Sequence, residues 1–145
     1  MSFTPSPAVR DAALLLARVV LGVVLIAHGL QKFVQNGIAG TAAAFEHMGI
    51  PGAPAAALYA AVVELGGGAL LLLGAVTSIV AVLVALDMVG ALLFVHAGNG
   101  VFVAGGGWEL VGLILALALV LGAVGAGRFS VDALLERRSP VAARS

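Results

Sequence analysis

Four runs of predominantly apolar residues constrain the fold of this chain more than any other feature of its sequence. They cover about residues 12–33, 55–74, 77–96 and 108–126. An α-helix rises about 1.5 Å per residue, so about 20 residues cross a hydrocarbon core that is about 30 Å thick. The sequence therefore predicts an all-α, polytopic membrane protein, with an antiparallel bundle of four transmembrane helices.

The composition supports lipid and not water as the surroundings of this bundle. Charged residues make up 10% of the chain, and 62% of its residues are hydrophobic. A soluble domain has about 25% charged residues, so this chain could not cover its surface with them. Seven basic and seven acidic residues cancel, which removes any global field that would attract nucleic acid. Cysteine is absent, so the chain has no disulfide, no thiolate nucleophile and no thiolate metal ligand.

The segments between the apolar runs predict the topology. Residues 34–54 contain several Gly and Pro residues, and Thr41–Met48 within them is predicted to form a short surface helix. Four spans place both termini on one side, together with Arg10 and the arginines of the C-terminal tail. Because basic flanks stay in the cytoplasm, we predict an N-in/C-in arrangement. Residues 1–11 and 127–145 are then cytoplasmic tails of a single transmembrane domain, 1–145.

The first apolar run has a second interpretation, since a basic residue precedes it as in a secretory signal peptide. The run is longer than such a peptide needs, and it continues into His28 and Lys32 without a clear cleavage site of small residues. We therefore interpret it as a retained helix.

Polar side chains inside apolar spans are candidate functional residues, because placing them in lipid is expensive. A central layer is predicted to contain Arg18, Glu64 and Asp87, as ligand-binding or proton-exchanging groups. An outer polar layer is predicted to contain His28, Lys32, His96, Asn99 and Glu109. The first helix supplies Arg18, His28 and Lys32, whereas the carboxylates come from the other three helices.

The central layer has an unequal number of charges. Two carboxylates and one arginine cannot pair one to one, so we expect Arg18 to pair with Glu64 or Asp87 and the other carboxyl group to exchange a proton. The sequence leaves open which carboxylate pairs. A quinone headgroup would suit such a site, although no cofactor is required by the sequence. A purely structural role for Arg18 and an anchoring role for Lys32 at the membrane surface are the alternatives.

Other kinds of site find less support. The two histidines and Glu109 offer ligand types that suit zinc or iron, but no short H-x-H or H-x-x-x-H spacing accompanies them, so no metal site is predicted. No Lys-Ser/Thr follows the glycines at 105–107, which excludes a phosphate-binding loop there. No catalytic residue can be assigned. We therefore do not expect a self-contained enzyme, and a non-catalytic subunit of a membrane oxidoreductase is the alternative.

A series of short motifs follows in a specific order along residues 12–135. They are R-x9-H-G-x2-K-F (Arg18 to Phe33), G-I-P (Gly49–Pro51), E-L-G-G (Glu64–Gly67), L-D-M (Leu86–Met88), H-x2-N-G (His96–Gly100), G-G-W-E before the fourth helix, and G-R-F-S-V-D (Gly127–Asp132). In this order and spacing the chain resembles the DoxX family of small four-helix bacterial membrane proteins.

The resemblance implies a multi-pass protein of the bacterial inner membrane. It also implies a link to redox homeostasis, since members are associated with thiosulfate–quinone oxidoreductases and with complexes of superoxide dismutase and a sulfurtransferase. Because this chain lacks cysteine, direct thiosulfate or thiol chemistry would need another subunit.

Three classes of function are compatible with these observations. The first, which we favour, is a membrane subunit or anchor of a redox or oxidative-stress complex, with soluble redox enzymes at its cytoplasmic face and a quinone-type ligand. The second is a carrier of a small solute or lipid, and the third is a structural scaffold. A homo-oligomer is a further possibility, because Gly112 and Ala116 on the fourth helix would allow close packing against a second copy.

Overall fold

The computed structural model describes residues 5–138 of the 145-residue chain. All regular structure within these residues is helical, so the all-α prediction is confirmed. The helices are α1 (Pro7–Gln35), α2 (Gly37–His47), α3 (Ala53–Leu73), α4 (Thr77–His96), α5 (Glu109–Val124) and α6 (Val131–Arg138). The outermost parts of the predicted cytoplasmic tails, 1–4 and 139–145, lie outside the described residues.

Among the described helices, α1, α3 and α4 are long and apolar enough to cross a membrane. They contain 29, 21 and 20 residues, with mean hydropathies of 2.3, 1.9 and 2.6. α5 is also apolar, but its 16 residues make it shorter than the other three. At about 1.5 Å per residue it extends about 24 Å, less than a hydrocarbon core of about 30 Å. A membrane protein is thus supported by length and composition, whereas a fourth span is still a prediction.

α1 begins earlier than the apolar run that predicted it. The side chain of Ser6 accepts a hydrogen bond from the backbone N–H of Val9, and Pro7 occupies the first helical position. Proline is well tolerated there, because its missing N–H would have no partner within the helix. The helix therefore starts at Pro7 and not at about residue 12.

α1 and α3 are antiparallel and their backbones approach closely through glycine. A Cβ atom added to Gly22 would lie 2.7 Å from the carbonyl oxygen of Gly68. One added to Gly29 would lie 2.5 Å from the backbone nitrogen of Leu65. Small residues allow this proximity in membrane helices. Because the two backbones are so close at these positions, the helices cannot slide along each other. These contacts therefore fix the register between α1 and α3.

The turn between α3 and α4 is held by α6. Asp132 accepts hydrogen bonds from the backbone N–H groups of Val76 (2.7 Å) and Thr77 (2.9 Å), and so satisfies two N–H groups at the start of α4. The backbone N–H of Asp132 donates in return to the carbonyl of Gly74 at 2.9 Å. These hydrogen bonds join α6, which follows α5, to the turn between α3 and α4.

The remaining contacts build a core with an apolar exterior. α4 packs against α3 and α5, and α5 also contacts α1. Leu21, Leu25 and Val84 are at most 1% exposed in this core. Large apolar side chains cover the outside as well: Leu113 is 69% exposed and Leu16 is 65% exposed. Water would solvate such a surface poorly, whereas lipid would solvate it well.

Three of the long helices contain a π-helical turn, which is wider than an α-helical turn. These turns are Gln31–Gln35 in α1, Val63–Gly67 in α3 and Leu92–His96 in α4. At the ends of α1 and α4, a backbone N–H donates to the carbonyl five residues earlier, at 3.0 and 2.8 Å. Such turns are rare in proteins as a whole, but those that do occur are often found at functional sites. Each of the three carries one polar side chain of the predicted site, namely Lys32, Glu64 or His96.

Candidate functional site

A cavity of about 610 Å³ lies among α1, α3, α4 and α5, in the half of the protein that holds the α1–α3 and α4–α5 connections. Its walls are mostly apolar and include Leu25, Phe94 and Ile114, together with side chains from α2 and the segment after it. The polar side chains that line the cavity are His28, Lys32, Tyr59, Glu64, Asp87 and His96.

An ion pair crosses one wall of the cavity. Lys32 Nζ lies 2.6 Å from Glu64 Oε2, and the two side chains are 15% and 6% exposed. Removing two charges from water is expensive, and a close contact of this kind recovers part of the cost. Within residues 5–138 the Glu64 carboxylate has no other hydrogen bond, so Oε1 is free to accept one from a ligand.

Asp87 enters the cavity from α4 without such a partner. Its Oδ2 atom is buried and has no hydrogen-bond partner within the described part of the chain. A buried polar atom without a partner is costly and uncommon in native structures. Asp87 is therefore a candidate for interaction with a group that the protein itself does not supply, such as a ligand or a proton.

Both histidines of the cavity are oriented by backbone carbonyls. His28 Nδ1 lies 2.9 Å from the carbonyl oxygen of Val24, and His96 Nδ1 lies 2.6 Å from that of Gly106. A carbonyl oxygen can only accept, so Nδ1 must carry a proton in each ring. In the neutral form of each ring, Nε2 is then a hydrogen-bond acceptor.

Arg18 lies away from this cavity, which corrects the expected pairing with Glu64 or Asp87. Its side chain is completely buried near the opposite end of the helices. Nη1 donates to the carbonyls of Leu71 (3.3 Å) and Leu72 (3.4 Å), and Nη2 donates to that of Phe129 (2.6 Å). The register between α1 and α3 is the reason, because it places Lys32 beside Glu64 and Arg18 beside the C-terminal end of α3.

The surroundings of Arg18 suit a structural role. The last carbonyls of a helix lack partners within the helix and carry partial negative charge, so a cation beside them is favourable. Gly74 leaves room for the guanidinium, since a Cβ atom there would overlap Arg18 Nη1. Burial alone would raise the pKa of nearby Asp132, but hydrogen bonds from Thr77 and Val76 and the charge of Arg18 lower the pKa below its ordinary value.

Asn99 and Glu109 of the predicted outer layer shape the α4–α5 connection and do not line the cavity. Asn99 Nδ2 donates to the carbonyls of Val95 (3.0 Å) and Gly106 (3.4 Å). Glu109 Oε1 accepts from the backbone N–H of Val103 at 2.6 Å. These contacts hold the segment that supplies the carbonyl partner of His96.

The structure thus brings five of the eight predicted residues to one cavity, namely His28, Lys32, Glu64, Asp87 and His96. Tyr59 is not among the residues predicted from the sequence, yet it lines the cavity and donates from its hydroxyl to the carbonyl of Leu83 at 2.8 Å. No periodic signal connects it to Glu64, five residues later. Within the described residues, no three His, Asp or Glu side chains are grouped closely enough to hold a metal ion.

Comparisons with known proteins agree with this picture. The DoxX family model matches residues 13–97, which include every polar side chain of the cavity. The "Putative oxidoreductase CatD" of Bacillus subtilis (strain 168) is 42% identical over 81 residues, which are 56% of this chain and 58% of that relative. This chain therefore matches little more than half of CatD.

A second relative covers more of the chain. The "Uncharacterized membrane protein Rv3486" of Mycobacterium tuberculosis is 33% identical over 133 residues, which are 84% of this chain and 80% of that protein. No solved structure matches the chain. Since the family model extends over α3, α4 and most of α1, and a relative named as a membrane protein covers most of the chain, this protein belongs to the DoxX family of membrane proteins.

Proposed function

We propose that this protein is a membrane-embedded subunit or anchor of a redox complex, and that its cavity binds a quinone-type ligand. The observation that carries the proposal is an apolar cavity of about 610 Å³ that contains the Lys32–Glu64 ion pair and the unpartnered carboxyl oxygen of Asp87. A quinone has an apolar tail, which suits the apolar walls, and a ring with polar oxygens, which suits the polar side chains. Lys32 offers hydrogen bonds to ring oxygens, and Asp87 offers a site for proton exchange beside them.

Access from the bilayer supports a lipid-soluble ligand. Three cavity-lining side chains also reach the outer surface: Leu86 is 60% exposed, Phe94 is 50% exposed and Met48 is 46% exposed. Leu86 and Phe94 belong to α4, so one route would pass beside this helix. A ligand could then enter from lipid without crossing the aqueous phase.

The proposal includes the topology. α5 is the fourth transmembrane helix, and α2 is a short helix on the outer side of the bacterial inner membrane. Both described ends of the chain meet, because Asp11 Oδ1 accepts from the backbone N–H of Arg128 at 3.2 Å. Arg10, Arg137 and Arg138 belong to the same end segments. A basic end favours the cytoplasm, which supports N-in/C-in. In this proposal, soluble redox partners would bind at that face.

The redox role is supported by the name of one relative, "Putative oxidoreductase CatD". The chain itself supplies no thiol, so the electrons would come from another subunit. A scaffold function is the main competitor, since Arg18 bonds only to backbone carbonyls and holds one end of the structure together.

The test is purification of the full chain in mild detergent, followed by mass spectrometry of co-eluting proteins and extracted small molecules. We expect quinone in stoichiometric amount in the wild type, and its loss from Asp87→Leu. Leu113→Ala, on the lipid-facing surface, is the matched control and should retain it. Bulk lipid alone, together with solute flux into proteoliposomes, would support a carrier. Cavity variants that lose only stability would support a scaffold.

A further inference from the structure

We infer that the cavity binds the reduced, dihydroxy form of its ring ligand more tightly than the oxidised, dicarbonyl form. This inference rests on the proposed function and specifies the chemical class of the ligand. It follows from the balance of hydrogen-bond donors and acceptors among the polar side chains of the cavity.

Acceptors are plentiful in the cavity. Because His28 Nδ1 and His96 Nδ1 donate to backbone carbonyls, each neutral ring offers Nε2 as an acceptor. Neither ring has another hydrogen bond within residues 5–138. Glu64 Oε1 adds a further acceptor, and so does the Asp87 carboxyl group whenever it is deprotonated.

Donors are few among the same side chains. Tyr59 already donates its hydroxyl proton to the carbonyl of Leu83. Lys32 donates one of its hydrogen bonds to Glu64, and its positive charge is balanced by the Glu64 carboxylate. The two ring oxygens of an oxidised quinone can only accept, so they would compete for Lys32 and leave the histidines without partners. The two hydroxyl groups of the reduced form can donate to the imidazoles while their oxygens still accept from Lys32.

The positions of the two histidines favour a ring with two separated hydroxyl groups. His28 belongs to α1 and His96 to α4, and these helices pack mainly against α3 and α5 and not against each other. The imidazoles therefore belong to different walls of the cavity. An amphipathic amine would also bring donors, but from a single centre, and it is included in the test.

The experiment uses the full chain in detergent under anaerobic conditions, with a short-tailed benzoquinone and the hydroquinone of the same tail. Calorimetry would measure the dissociation constant of each form. We expect the reduced form to bind about tenfold more tightly, as two added hydrogen bonds would provide. A tenfold ratio corresponds to a rise of about 30 mV in the midpoint potential of the bound two-electron couple, which offers a second readout.

The variants isolate Nε2 from the rest of each histidine. In a double variant, His28→Asn with His96→Asn, the amide nitrogen retains the position of Nδ1 and its donation to the carbonyl, but nothing replaces Nε2. We expect the preference for the reduced form to fall to about twofold or less. His47→Asn is the matched control, because His47 is exposed on α2 and does not line the cavity.

Each contrary outcome has a distinct meaning. Equal affinity for both forms in the wild type, or tighter binding of the oxidised form, would overturn the inference and leave the proposed quinone site intact. Persistence of the preference in the double variant, or tighter binding of a tail-matched amine, would also overturn it. Binding of neither form would refute the proposed function itself.

Discussion

Lys32 Nζ lies 2.6 Å from Glu64 Oε2, and this ion pair joins the C-terminal part of α1 to the middle of α3. The pair depends on close packing elsewhere along the same two helices. Gly22 and Gly29 admit the backbone of α3 and thereby fix which residues face each other. Glycines outside the cavity thus determine which cation meets Glu64 within it.

The ion pair yields the first prediction. Glu64→Gln leaves the Lys32 ammonium buried without a counter-charge, so the free energy of unfolding should fall by about 3 kcal/mol. A double variant, Lys32→Met with Glu64→Gln, should recover most of this loss. Equilibrium unfolding in mixed detergent micelles would measure both. Equal stability of Glu64→Gln and wild type would show that the pair contributes nothing to the fold.

The close approach of α1 and α3 yields the second prediction. A Cβ atom on Gly68 would lie 2.8 Å from the carbonyl oxygen of Gly22, so Gly68→Ala must separate the helices and should cost about 1–3 kcal/mol. Gly66→Ala, two residues earlier in the same helix, is the matched control, since a Cβ atom there meets nothing within 4 Å. Thermal unfolding of the two variants should differ clearly. Similar melting temperatures would contradict the proposed register.

The Arg18 site yields the third prediction, which separates structure from ligand binding. Arg18→Met removes three hydrogen bonds to backbone carbonyls, so the free energy of unfolding should decrease by about 3 kcal/mol. Because Arg18 does not line the cavity, the quinone content per folded molecule should not change. Mass spectrometry of the folded fraction would check this. A loss of quinone at unchanged stability would instead show that Arg18 takes part in ligand binding.

Asp132 yields a prediction about pH. Its pKa in the folded protein lies below the ordinary value of 3.8, so the unfolded chain binds a proton more readily. The stabilisation is therefore complete well above pH 3.8 and is lost as the pH falls through the folded pKa. We expect acid unfolding of the wild type to steepen in this range. Asp132→Asn should be less stable than the wild type at neutral pH. Its stability should also depend less on pH in the acid range.

Asp87 yields a prediction in which stability and binding change in opposite directions. Asp87→Leu removes a buried carboxyl oxygen that has no partner in the described residues, so the free energy of unfolding should rise by about 1 kcal/mol. The same change should abolish binding of the short-tailed quinone. A functional residue retained at a cost in stability would behave in this way. Reduced stability of Asp87→Leu would instead indicate that the carboxylate has a structural partner.

Much of the helical layout could be predicted because apolar runs long enough for a bilayer have few other uses. The third run, at 77–96, coincides with α4. The first turn of α1 was not predicted, since residues 1–11 were assigned to a cytoplasmic tail, whereas Pro7 is the first residue of a capped helix. Helix boundaries depend on one or two local contacts, which a hydrophobic pattern does not contain.

The candidate site was harder to predict, because depth in the membrane was estimated for each helix separately. Arg18 and Glu64 were assigned to one layer, although Arg18 meets the end of α3 and Lys32 meets Glu64. The offset depends on how two helices interlock at Gly22 and Gly68, which is a property of the pair. Tyr59 was not predicted as a site residue for a related reason. Its hydrogen-bond partner is a backbone carbonyl, and every residue type supplies one, so the sequence cannot indicate the contact.

The π-helical turns in α1, α3 and α4 have a consequence for the direction in which the residues beyond them face. A turn closed over five residues contains one residue more than an α-helical turn, so each is equivalent to a single-residue insertion. Deletion of that residue would leave an ordinary helix and rotate everything beyond it by about 100°. In α3, the extra residue thereby sets which side of the helix presents Gly68 to Gly22 on α1, just beyond the turn that carries Glu64.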